Sequence, residues 1–132
     1  MPGLGSALSR VRVAVICALL FGGTLLLFSR ALGYGFVNYD DPSYVTDNLP
    51  VQGGVSWAGL SWAVGAPSDQ FSWHPLTWLS HMLDWQLYGR SASGHHLTSV
   101  LGHALNAVLA FLLFRRLAGG CWRSAFAAAL FA

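Results

Sequence analysis

In 132 residues, 55% of them hydrophobic and only 9% charged, the chain lacks the polar surface with which soluble domains cover themselves. With a formal net charge of +2 and no basic run, no nucleic-acid partner is expected. That small total conceals a pattern, because residues 1–32 carry +3, residues 33–93 carry −4 and residues 94–132 carry +3.

The first element is an apolar run over residues 13–29 without a charge, preceded by Arg10 and Arg12. At about 1.5 Å of rise per residue it covers most of a hydrocarbon core roughly 30 Å thick once its flanks are added. It predicts a transmembrane helix over residues 13–32 after a cytoplasmic segment 1–12. Arg30 lies on the unfavoured side, from which a long side chain reaches the headgroups. A cleaved signal peptide is the alternative, with Ser29 and Ala31 as small residues flanking a cleavage site, although the apolar run is long for one.

Residues 33–93 hold all five carboxylates and form the outer loop. Gly33 and Gly35 end the first helix, and Pro42 is expected to push Asp41 toward an extended conformation. Two adjacent carboxylates, Asp40 and Asp41, therefore follow the membrane exit. The segment 47–50 reads as a turn. Ser56 can cap a short helix over 57–64 that Gly65 and Pro67 terminate, with Trp57 and Trp62 suited to a membrane interface. Pro75 opens a clearer helix over 76–88, and Gly89 closes it. Leu76, Leu79, Leu83 and Leu87 recur at helical spacing, broadened by Trp78, Met82 and Trp85, while His81, Asp84 and Tyr88 share another face. Such a helix is expected to lie along the membrane surface, or else to be an ordinary amphipathic helix packed under a lid.

A second apolar run over 97–114 predicts a transmembrane helix over 94–117, capped by Ser93. His95, Ser99, Gly102, His103 and Asn106 form a polar stripe that should turn toward other helices or a wet cavity. Arg115, Arg116 and Arg123 follow, so the preference of Arg for cytoplasmic flanks puts both outer ends in the cytoplasm and the acidic loop in the periplasm or a lumen. Residues 118–132 read as a cytoplasmic turn and the start of a third transmembrane helix, since 124–132 makes only about 14 Å of helix. The chain is thus expected to be the N-terminal piece of a larger protein. The fold class is an all-α integral membrane bundle with short interfacial helices in the outer loop. Cys17 and Cys121 lie in apolar segments, so no structural disulfide is expected.

Five histidines invite a metal reading. His95 and His96 are adjacent and diverge on a helix, and His74 and His81 lack the i, i+4 spacing of a zinc grip, so no dedicated zinc site is expected. Asp40 and Asp41 could hold a divalent cation, Mg or Mn, that bridges phosphate oxygens, although adjacent aspartates before proline also occur in plain turns.

The run Phe36-Val37-Asn38-Tyr39-Asp40-Asp41-Pro42-Ser43-Tyr44-Val45, then Trp73-His74-Pro75-Leu76-Thr77-Trp78-Leu79-Ser80-His81, Gly94-His95-His96-Leu97 and Leu105-Asn106, resembles the N-terminus of GT-C type membrane glycosyltransferases. The nearest group is the protein O-mannosyltransferase-like proteins that carry C-terminal tetratricopeptide repeats. The resemblance runs from Gly33 almost to the end of the chain and implies a multi-pass protein of the bacterial inner membrane. It implies transfer of a sugar, mannose-like, from a polyprenyl-phosphate donor to a protein hydroxyl or other acceptor. By position, Asp40 would be the general base and Asp41 would position the acceptor or help hold the donor phosphate. Tyr39, Trp73, His74, His81 and Arg90 are candidates for donor or acceptor contacts. Arg90 is the only cation in the loop, so further phosphate-clamping groups would have to come from elsewhere. The competing class is a non-enzymatic membrane protein whose aromatic loop binds a partner or serves as an assembly subunit.

Overall fold

The computed structural model describes residues 4–65 and 73–132, with side chains from residue 7 onward. Pro67, expected to terminate a helix, and Asp69 lie outside the described residues. Every regular element described is helical: α1 (Leu4–Phe28), a 3-10 helix (Ser29–Gly33), a π-helical turn (Pro42–Thr46), α2 (Leu49–Gln52), α3 (Trp57–Gly65), α4 (Pro75–Tyr88), α5 (Ala92–Ala118) and α6 (Cys121–Phe131). The chain divides into two compact units, residues 1–30 with 99–132, and residues 31–98.

The first unit holds most of the two long apolar segments. Segments Ala7–Gly33 and Ala92–Ala118 are each long and apolar enough to cross a membrane. Only 17% and 22% of their most apolar windows is buried, whereas the core helix of a soluble protein would be covered nearly all round. Ile16, Phe111 and Ala128 form the shared core of α1, α5 and α6, flanked by Val13, Leu20, Leu112 and Ala125. Two hydroxyls in this unit are satisfied by their own helix backbone: Thr24 Oγ1 donates to Leu20 O at 2.7 Å and Ser124 Oγ to Gly120 O at 2.7 Å. Helix α5 stops where Gly119, at φ +71°, takes a left-handed conformation and donates its N–H to Arg115 O at 3.1 Å. Arg115 and Arg116 occupy that last turn, where a positive charge complements the helix dipole.

The polar stripe of α5 does not turn into this core. Val100, Ala104, Ala107 and Phe111 fill the buried face, while Ser99, Gly102 and Asn106 stay exposed. Ala104 and Ala107 on that face are small enough to let helices approach closely, with Phe111 filling the space beside them. In this unit His103 alone of the stripe is drawn partly in, its ring edge-on to Phe28 at 5.2 Å and its Nε2–H donating to Ala132 O at 3.0 Å, whereas His95, at the start of the stripe, is buried in the second unit.

The second unit is the outer loop, folded around Val51, Ala63, Trp78 and Met82. Helices α2 and α3 and the π-helical turn all pack on α4. Trp78 is 1% exposed, and burying a side chain of that size contributes about 3 kcal/mol. Each helix start has a physical reason. Asn48 Oδ1 accepts from Val51 N–H at 3.2 Å and caps α2, so the expected turn at 47–50 continues as one turn of helix. Ser56 Oγ accepts from Gly59 N–H at 3.0 Å and caps α3. Pro75 opens α4, and Gly89, at φ +57°, ends it.

Three local expectations are corrected. Asp41 is α-helical rather than extended, at φ −56° and ψ −36°. The steric push of Pro42 is outweighed by hydrogen bonds from Val37 N–H to Asp41 Oδ2 at 2.7 Å, Tyr44 N–H to Asp40 O at 3.0 Å and Asp47 N–H to Pro42 O at 2.9 Å. Helix α5 begins at Ala92, so Ser93 lies in its first turn, and it is the carbonyl of Ser91 that accepts from Gly94 N–H at 3.0 Å. The leucine row of α4 is split, because Leu79 joins the core while Leu76, Leu83 and Leu87 stay 80%, 48% and 61% exposed. Trp78 and Met82, on the other apolar side, are the residues packed inward, so α4 has one buried and one exposed apolar face.

Candidate functional site

The acidic pair splits its duties. Asp41 is half-buried and spends one carboxylate oxygen on the amide of Val37, which closes the chain from residue 37 to 41 into a tight turn. Asp40 lies on the outside of that turn, and its side chain is exposed. A cation bridging both carboxylates would have to compete with the Val37 N–H for Asp41 Oδ2. Behind the turn, Phe36, Asn38, Pro42, Thr46, Asp47 and Arg90 line an open cavity of about 360 Å³. Arg90, the loop's lone cation, thus faces the same space as Asp47.

The π-helical turn presents Tyr44 to α4. Its ring stacks on His74, 5.6 Å away with the planes 6° apart, and on Trp78 at 4.9 Å, while His74 stacks on Trp78 at 4.8 Å. His81 meets Tyr44 edge-on at 6.2 Å. The structure therefore brings two of the expected contact residues, His74 and His81, into one aromatic cluster. It does not bring in the others. Tyr39 is 83% exposed, and Trp73 is 65% exposed with its indole N–H donating to Val64 O at 3.1 Å.

A second cluster lies deeper. His81 and Asp84 stand at i, i+3 on α4, and the turn Gly89-Arg90-Ser91 reverses the chain so that His95, in the first turns of α5, returns to them. One donor atom from each of the three lies within 4.8 Å of the others. Asp84 and His95 are only 4% and 5% exposed, with Asp84 Oδ2 3.9 Å from His95 Nδ1. Phe36 walls His95 at 5.4 Å and Trp85 at 6.4 Å. The carbonyl of Gly89 can only accept, so the 3.0 Å contact with His95 Nε2 places a proton on that nitrogen.

Electrostatics at His81 are decided by competition. Burial comes first and holds its pKa below the ordinary 6.5; Asp84 pulls upward, His95 and His74 push further down, and Asp41 pulls weakly up. The net result keeps the imidazole neutral near pH 7, with a lone pair to give.

Reading histidine spacing within single helices missed His95 and Asp84 as a site with His81. The shared face of His81 and Asp84 was visible as an i, i+3 pair, but His95 reaches them only through the chain reversal at Gly89. Compared with known protein families, with curated proteins and with solved structures, the chain matches none.

Proposed function

We propose that this chain supplies the membrane anchorage and acidic outer loop of a polytopic glycosyltransferase that moves a sugar from a polyprenyl-phosphate donor to a hydroxyl acceptor. The observation that carries this reading is the division of labour in the acidic pair: Asp41 holds the turn through Val37, leaving the exposed Asp40 carboxylate available to accept a proton. A lipid-linked donor keeps its tail in the bilayer and its phosphate at headgroup height. The base must therefore wait just outside the membrane, after the end of an apolar helix such as α1. In this mechanism Asp40 takes the acceptor proton as the hydroxyl oxygen attacks the anomeric carbon, and the polyprenyl phosphate leaves with the bonding pair. Arg90, on the cavity beside the turn, is the loop's contribution to holding that phosphate. The order of the loop motifs, which resembles GT-C type enzymes, supports the same assignment, with the loop on the periplasmic side of a bacterial inner membrane.

The test is sugar transfer by membranes containing the full-length reading frame, comparing the parent with Asp40→Asn. That change preserves shape and removes the base, and loss of a general base costs about 10²–10⁴ in rate. Transfer that persists unchanged excludes Asp40 as the base. If the parent itself transfers nothing, the assembly reading takes over, and the exposed row Leu76, Leu83 and Leu87 is the surface that favours it.

A further inference from the structure

We propose that His81, Asp84 and His95 form a site for one divalent transition-metal ion of the zinc class, which braces α4 against the start of α5. The inference is independent of the glycosyltransferase reading, because it concerns residues that the reaction above does not use as acid or base.

All three donors are of the right kind, and two of them have atoms without other work. Asp84 Oδ1 and His81 Nδ1 are shut off from solvent and make no hydrogen bond. A carboxylate oxygen buried in that state costs several kcal/mol unless a cation compensates it. Orientation points the same way. His95 Nε2–H is engaged with Gly89 O, so in a neutral ring Nδ1 turns a lone pair toward Asp84 Oδ2 only 3.9 Å away. Two acceptors facing each other in a nearly dry site call for a positive charge between them. The contact with Gly89 is itself the arrangement that metal-bound histidines show, with the far nitrogen donating to a backbone carbonyl that fixes ring and tautomer.

Geometry and ligand chemistry then select the ion. Donor atoms within 4.8 Å of one another must draw in to about 3.3 Å for bonds of roughly 2.0–2.1 Å in a tetrahedron, a shift within reach of side-chain rotation. Two imidazoles and one carboxylate suit zinc-class ions, whereas magnesium and calcium prefer sets made of oxygen. Three protein ligands leave a fourth position for water. The competing explanation for the same geometry is a proton on His95 Nδ1, giving an imidazolium–carboxylate pair and no metal site.

The experiment titrates the tag-free 132-residue chain in detergent with Zn²⁺ in competition with a chromophoric chelator, and separately with Co²⁺. The expected result is one Zn²⁺ per chain. Affinity should fall by about 100-fold or more in His95→Ala and in Asp84→Asn, and stay within threefold of the parent in His74→Ala and His96→Ala. Where a variant fails to fold, the parent alone decides, because Co²⁺ in the site gives the visible bands of a tetrahedral complex and Zn²⁺ displaces them. Absence of stoichiometric binding, absence of those bands, or binding that survives His95→Ala and Asp84→Asn in folded protein would overturn the site and leave the ion pair.

Discussion

The ring of Tyr88 lies so close to Gly94 that a β-carbon on Gly94 would stand 2.2 Å from Tyr88 Cγ and 2.5 Å from its Cβ. Those atoms belong to the root of the side chain and cannot swing away without moving the end of α4. The contact sets the corner between α4 and α5, and that corner delivers His95 to Asp84. Gly94→Ala should therefore destabilise the loop by about 1–3 kcal/mol, the usual cost of overpacking. Gly102, further along α5, has open space around it, and Gly102→Ala should be neutral or slightly stabilising. Thermal unfolding in detergent of the two variants checks this, and equal midpoints would refute the close-approach argument.

Asp41 has a structural duty separable from any chemistry at Asp40. Its 2.7 Å bond from Val37 N–H is exposed, so removing it costs about 1 kcal/mol rather than the larger sum expected of a buried charged bond. Asp41→Ala should raise hydrogen exchange at the Val37 amide by roughly fivefold, since 1 kcal/mol is about that factor. Asp41→Asn keeps an acceptor oxygen and should retain most of the protection. Equal exchange in parent and Asp41→Ala would mean that the turn is held by its backbone bonds alone.

Much of this architecture was legible in the residues because single signals decided it. Charge-free runs gave the two long helices, Pro75 and Gly89 bounded α4, and Ser56 marked the start of α3. What escaped depended on contacts between segments. Pro42 argues for an extended Asp41 until the three hydrogen bonds of the π-helical turn are counted. The leucine row of α4 has the right period for a core, but Trp78 and Met82 on the neighbouring side fill the available volume better, and the row is left outside. In the candidate site, exposure of Asp40 against engagement of Asp41 cannot be read from two identical adjacent residues. His95 is separated from Asp84 by the whole α4–α5 turn, so only the backbone reversal at Gly89 reveals them as partners.

Titration of His81 puts burial against charge. In chain freed of metal by a chelator, burial, aided by His95 and His74, should outweigh Asp84 and Asp41 and place the His81 midpoint below 6.5 by NMR. Linkage then fixes the sign of the stability change. Well above pH 6.5 the ring is neutral in both folded and unfolded chain and costs nothing. As the pH falls through 6.5 the unfolded chain takes up the proton first, so this group's contribution drains stability until the folded midpoint is passed. Asp84→Asn removes the largest upward pull and should lower the midpoint further. A midpoint at or above 6.5 in the parent would show that the carboxylates win over burial.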